Sequence, residues 1–464
     1  MRKTFLPLTF LLLAIALFAS GANAATTPLV WNEKDKTFNA DVSGVPLPEL
    51  LKTISTATGW EVYLEPGTSY SASAKFRDIP RAEALRRLLG KLNFEITTQT
   101  NSVPKLFVFH TGSGKATQLI RGEAKKIILG KDRVILNHLI VSLKPGSKMD
   151  INVLAQQLGA KVIGKLEGVD SYLLEFSDEA STIAAREQLS RVREIASVDS
   201  NYSMERPTPF SMASASRGSS FNLKADATGG DGKQTIIGMI DTAVQQLGAN
   251  MDGFLLPAIE VAGEANPRGD VPTHGTAMAE SILAGLNSTA TQGQPSSVRI
   301  LPVDIYGNNT DTTTFYVADG IVRAVNGGAN ILSLSLGSAG DSPFLGTLIE
   351  QVSEKGIPIF AAAGNQPVTS PTYPAAYPQV VAVTSASDRN GTIASYANRG
   401  SFVDVILPGG NIVPFNGNNY YVNGTSVSTA LASGMMAGLV ESTRQAPMKI
   451  LPTFRSSIAY KPQP

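Results

Sequence analysis

Three histidines occur in this 464-residue chain, His110, His138 and His274, and the last opens the string HGTAMAESILAG. Upstream, the apolar run IIGMIDTAV carries Asp241; downstream, NGTSVSTALASG presents Ser426. A carboxylate, an imidazole and a hydroxyl are the parts of a nucleophilic triad. The carboxylate fixes the imidazole tautomer, the imidazole takes the hydroxyl proton, and the oxygen attacks a carbonyl. Asp…His…Ser is one of the few linear orders in which that set occurs. His110 and His138 lack such neighbours, which leaves His274 as the candidate base.

Two further features suit the same chemistry. Ser426 starts a run of small residues, VSTALASGMMAG, that reads as a helix; a helix N-terminus favours negative charge. Gly424 permits a tight turn before it, and Ala430, Ala432, Gly434, Ala437 and Gly438 allow close packing. Asn365 ends the run IPIFAAAGN, where an amide donor would stabilise an oxyanion. Each residue also has a plainer reading: a strand-end Asp, a structural His, a Ser N-cap, an Asn in a turn.

The elements that must position these residues lie from about Gln234 onward. TIIGMI, RILPVDI, NILSLSL, IPIFAAA, VVAVTSA and VDVIL are near-continuous apolar runs, as expected of parallel strands buried on both faces. Helical patterns such as HGTAMAESILAGL and FYVADGIVRAVNGG alternate with them, which predicts a three-layer α/β architecture.

Taken in order, IIGMIDTAV, THGTAMAESILAG, NILSLSLG, IFAAAGN and NGTSVSTALASG resemble the successive signatures of the subtilisin-like serine protease family. The resemblance implies a catalytic domain over 233–447, with Asp241, His274 and Ser426 as the triad and Asn365 as the oxyanion donor. It makes Ser335, Leu336 and Gly337 the edge that pairs with extended substrate, and Ala362, Ala363 and Gly364 the opposite wall of a side-chain pocket. The substrate would be protein or peptide. No cofactor is required; relatives often carry structural calcium, whose ligands the sequence does not reveal, and single acids such as Asp304 and Asp311 read as structural. Departures stand at Ala243, Ala277, Glu280 and Ala430, where the family usually has Gly, often a second His, Gly and Pro. They put efficiency in doubt and keep an alternative open: a catalytically weak or inactive envelope binding protein recruited through its N-terminal domain. KILPTFRSSIAYKPQP is a weak substitute for the family's final helix.

Composition bounds the rest. Hydrophobic residues make up 43% and charged residues 17%, the balance of a globular chain, and the length suggests about three domains. A net charge of +1 gives no electrostatic case for nucleic acid. Residues 1–24 read as a secretory signal, with Arg2 and Lys3, an apolar run and Ala22-Asn23-Ala24. With no Cys there is neither disulfide nor thiolate metal site. The expected location is periplasmic or extracellular.

Between signal and catalytic block lie two patterns of strands and helices. Residues 26–110 follow a β-α-β-β-α-β order and, through VPLPELLKTISTATG, resemble the short N-terminal domain of secretins and TonB-dependent receptors. That likeness implies docking to an envelope partner, with KLFVF as an exposed edge for strand addition. Residues 126–202 suit a ferredoxin-like unit. Their place ahead of the catalytic block resembles the inhibitory propeptide of the protease family, with the end near Tyr202 in the substrate groove. A Pro/Ser/Ala/Gly-rich linker, 203–232, is expected to be cut between Asn201 and Ser220.

Overall fold

The computed structural model describes residues 29–461, apart from 33–35, 98–103, 121–132, 208–211, 215–222, 227–233, 249–250, 264, 266, 268, 292 and 389. The expected signal, 1–24, lies outside the described residues, as does much of the linker. The chain divides into two compact units, residues 1–127 and 128–464.

In the first unit, strands β1 (Leu29–Asn32) and β2 (Thr37–Pro46) lead into helix α1 (Leu47–Thr58). Leu47, Leu50, Leu51 and Ile54 recur at helical spacing and are fully buried, and Gly59, at φ 73°, ends the helix in the left-handed region. Strands β3 (Glu61–Leu64) and β4 (Ser71–Pro80), helix α2 (Arg81–Leu89), and strands β5 (Asn93–Thr97), β6 (Lys105–Phe109) and β7 (Gln118–Ile120) follow. They form two sheets, ordered β1-β2-β4 and β5-β6-β3-β7. Phe38, Trp60, Leu85, Leu88 and Val108 join the α1 stripe in one core. The expected exposed edge KLFVF is β6, an interior strand: β5 pairs antiparallel on one side and β3 parallel on the other. Its ladder hydrogen bonds are already used, so strand addition there is ruled out.

The second unit begins with β8 (Val134–Leu143), α3 (Ile151–Gln157), β9 (Lys161–Leu166), β10 (Ser171–Glu175), α4 (Glu179–Leu189) and β11 (Ile195–Glu205). Asp150 and Asp178 cap the two helices through backbone N–H groups. The strands order as β11-β8-β10-β9, all antiparallel, a ferredoxin-like arrangement. Alternation along the strands gives the sheet two apolar faces. Leu139, Val141, Leu143 and Leu174 pack under α3 and α4, while Ile140, Leu166 and Leu173 belong to the same core as the elements that follow.

Those elements are β12 (Met212–Ser214), β13 (Ile236–Asp241), β14 (Ile259–Glu260), α5 (His274–Thr289), β15 (Arg299–Asp304), β16 (Asp311–Thr313), α6 (Thr314–Asn326), β17 (Ile331–Leu334), α7 (Pro343–Glu354), β18 (Ile359–Ala362), β19 (Val380–Ala386), β20 (Val405–Pro408), β21 (Gly410–Phe415), β22 (Asn418–Asn423), α8 (Thr425–Thr443) and α9 (Pro447–Ser457). A parallel seven-stranded sheet runs β14-β15-β13-β17-β18-β19-β20. Ile359 and Ala361 face α6 and α7; Phe360 between them faces α5, α8 and α9. This is the expected three-layer α/β fold. Beyond 447 the chain forms α9, whose Phe454 meets Phe360 edge-on at 5.9 Å.

Candidate active site

All candidate residues sit at the carboxyl ends of parallel strands or at helix starts just beyond them. Asp241 is the last residue of β13, and Ser335 follows β17 directly. Asn365 lies just past β18, His274 is the first residue of α5, and Ser426 is the second of α8. Crevices outside the carboxyl ends of strands are where open α/β sheets bind ligands.

His274 and Asp241 are bonded directly. Nδ1 of the imidazole lies 2.7 Å from Oδ1 and 3.0 Å from Oδ2 of Asp241. Their side chains are 3% and 0% exposed, so water does not compete. The backbone N–H of Thr242 donates to Oδ1 at 2.6 Å, and the Thr242 hydroxyl accepts from Gly275 N–H at 2.8 Å. A carboxylate fixed in this way orients the ring and leaves the other nitrogen for proton transfer.

The nucleophile candidate is placed by helix packing. Helices α5 and α8 approach at Gly285 and Gly434, where a Cβ would overlap the Leu431 and Ile282 carbonyls respectively. Before α8, Gly424 adopts φ 147°, which a side chain would strain. Ser426 Oγ donates to Ser335 O at 3.4 Å. Asn365 is held by Thr425, whose backbone N–H and hydroxyl both donate to Asn365 Oδ1, at 2.9 and 3.1 Å. That bonding turns Nδ2 toward the start of α8, 3.2 Å from where a Gly424 Cβ would stand.

The two expected pocket segments are neighbours. A Cβ on Gly337 would lie 3.9 Å from Ala362 O, and Leu336, Ala362 and Ala363 are buried. Asn398 braces this wall: Nδ2 donates to Ala363 O at 2.7 Å, and Oδ1 accepts from Gln366 N–H at 2.8 Å. Sequence reasoning missed Thr242, Thr425 and Asn398. Thr242 and Thr425 adjoin known candidates, whereas Asn398 has no local signal.

Three of the four departures, Ala277, Glu280 and Ala430, lie in the interior, and Ala243 is half-buried. Ala277 and Ala430 are fully buried, and Ala243 O accepts from the Thr273 hydroxyl at 2.7 Å. Glu280, 1% exposed, leaves Oε2 without a hydrogen bond; burial, with nearby Asp252, pushes its carboxyl up to about 7. Asp304, in register with Asp241, is raised to about 6, chiefly by burial. Among the described residues no group of three or more His, Cys, Asp or Glu could hold a metal ion. Asp304 Oδ1 accepts from Tyr306 and Gly307 N–H, and Asp311 is paired with Arg133. No helix of the described residues is long and apolar enough to cross a membrane.

Residues 133–205 touch the parallel-sheet half along a seam. Ser203, Met204 and Glu205 of β11 pair antiparallel with Thr313, Thr312 and Asp311 of β16. Arg133 clamps the join, with Nη1 on Glu205 at 2.7 Å and Nη2 on Asp311 at 2.5 Å. Asn201 Oδ1 accepts from Phe315 N–H at 3.1 Å at the start of α6.

Comparison with known proteins agrees with this architecture. Residues 232–449 match the subtilase family model, and residues 128–201 match that of the fervidolysin N-terminal prodomain. The chain is 33% identical over 222 residues to a thermophilic serine proteinase of Bacillus sp. (strain AK1), covering 47% of this chain but only 55% of that protein. Fervidolysin from Fervidobacterium pennivorans, a keratinolytic enzyme related to subtilisin, shares the fold, with a TM-score of 0.51 and 19% identity over 68% of this chain and 57% of that one. Thermitase from Thermoactinomyces vulgaris is 33% identical over 216 residues, 46% of this chain and 76% of its own length; on that likeness, and with its catalytic-half residues matched to the family model, this chain belongs to the subtilase family.

Proposed function

We propose that the chain is an exported serine endopeptidase made as a zymogen. His274 takes the proton of Ser426 Oγ as that oxygen attacks the peptide carbonyl, and Asp241 stabilises the imidazolium that forms. Asn365 Nδ2 and the positive end of α8 meet the developing oxyanion. The imidazolium then protonates the leaving amine, and water, activated by the same base, releases the acyl group. Ser335–Gly337 and Ala362–Gly364 flank the substrate. The observation that carries this reading is the buried Asp241–His274 bond, set beside the helix whose first turn holds Ser426.

Residues 126–202 act as the intramolecular inhibitor, with β11 carrying their end on into the linker as far as Glu205. The support is that Ser203–Glu205 lie on β16 as an extended peptide would, by strand addition, while Tyr202 packs against Gly340, just beyond the proposed substrate edge. Self-cleavage falls between Asn201 and Ser220 and releases the block. The first unit is a docking module for an envelope partner and takes no part in the chemistry. Protein freed of its inhibitor block should take a fluorophosphonate label and hydrolyse denatured casein, both abolished by Ser426→Ala. A protein that takes no label is not a serine hydrolase, and the reading falls.

A further inference from the structure

The end of the pro-region seats one side chain in a recess that the triad does not use. Arg206 directly follows β11, and its backbone N–H continues the pairing by donating to Thr310 O at 2.8 Å. Its guanidinium donates through Nε to Asn309 O at 3.0 Å and through Nη2 to Gly307 O at 2.5 Å. It also lies over the Tyr306 ring, 5.5 Å from the centroid. Tyr306 is fully buried and its hydroxyl donates to Glu205 O at 3.3 Å. One ring therefore meets both the cation and the peptide beside it.

Behind this recess stands Asp304, 2% exposed. Its Oδ1 accepts the Tyr306 and Gly307 N–H groups at 2.9 and 3.0 Å, and its Oδ2 has no hydrogen-bond partner. Burial and the neighbouring Asp241 work against its ionised form, which the charge of Arg206 favours. A buried carboxylate without a partner is costly, and a cation in the recess offsets that cost. Two carbonyls set for a planar fork, an aromatic face and a carboxylate behind them suit a guanidinium better than an ammonium.

We propose that this recess selects arginine in protein substrates, at the residue two positions beyond the one that pairs with Thr312. The inference rests on reading β16 as a strand on which substrates pair; the pro-region then occupies the recess with Arg206 as a substrate would.

The test uses the matured enzyme and peptides of residues 203–214 with Arg, Lys, citrulline or Ala at position 206. Each competes with casein hydrolysis, which reads binding whether or not the peptide is cut. Citrulline keeps the shape of arginine without its charge. The Arg peptide should inhibit at a concentration about tenfold or more below the citrulline and Ala peptides, with Lys between them, as charge-assisted bonds to carbonyls imply. Asp304→Asn should shrink the Arg-to-citrulline ratio. Equal inhibition by the Arg and citrulline peptides, with casein still hydrolysed, overturns the proposal, and so does an Arg preference untouched by Asp304→Asn. The peptide series on unmodified enzyme stands even if the variant misfolds. Loss of both casein hydrolysis and fluorophosphonate labelling would instead sink the protease reading itself.

Discussion

The two small α+β regions ahead of the parallel sheet are both built from short strands and two helices, and they end differently. In residues 29–120, the helix stripes of α1 and α2 close with both sheets on one core of their own. In residues 133–205, one face of the sheet is covered by α3 and α4, while Ile140, Leu166 and Leu173 on the other join Phe315 and Leu345 of α6 and α7. An antiparallel sheet can leave one face to water; this one gives that face to the rest of the second unit. A region with a private core is expected to fold for itself, and one with a shared core to act as a template for its neighbour.

Removing residues 128–202 is the severest way to break that contrast. It should leave the subtilase part without its apolar cover and cut the yield of folded protein to near nothing, as measured by near-ultraviolet circular dichroism. Removing residues 26–109 should leave folding and turnover unchanged and alter only where the precursor is found in the cell. Equal outcomes for the two deletions would erase the distinction.

Ser426→Ala should freeze the template in place, so that full-length precursor accumulates after signal removal while the native circular dichroism persists. Processing at the unmodified rate, with no added protease, would show that maturation is not self-cleavage. Asn365→Ala should act on the transition state alone and lower turnover about 10²–10³-fold, the magnitude known for one such donor in subtilisin. A rise in KM with turnover intact would make Asn365 a structural residue.

At the seam, Asn201→Ala should strand the Phe315 N–H and weaken pro-region retention by about 1–3 kcal/mol. Size-exclusion chromatography of the cleaved protein reads this as earlier separation of the two fragments. Glu280→Gln, on the subtilase side only, should leave the contrast untouched, with a stability change equal in precursor and mature forms. The folded-state value of about 7 exceeds the ordinary 4.5, so stability falls as pH rises between those values and stays lower above them. The variant should therefore gain Tm at pH 8 and gain almost nothing at pH 4, by thermal scan.

The catalytic strands and both key helices were legible because buried parallel strands read as apolar runs and the site strings are local. What was not legible depends on partners far along the chain. IASV reads as a strand ending at Val198, yet β11 continues to Glu205 because β16, three polar residues, pairs with it across more than a hundred positions. KLFVF reads as an edge because its second neighbour, β3, is separated from it in sequence by β4, α2 and β5. Pro452 disguises α9, whose Leu451 and Phe454 are nonetheless buried. In the site, Asn398 was invisible for the same reason: its contacts reach back to Ala363 and Gln366.

The glycine contact between α5 and α8 has a consequence for how such a protein can change. Where backbone rests on backbone there is no rotamer to relax, so the spacing of the two helices that carry the proposed base and nucleophile works like a machinist's jig. Substitutions at Gly285 or Gly434 would force the helices apart and dislocate the reacting atoms together. On the proposed function, new tastes in substrate would be written in the loop before β16 and in those after β17 and β18, where side chains can be exchanged without touching the jig.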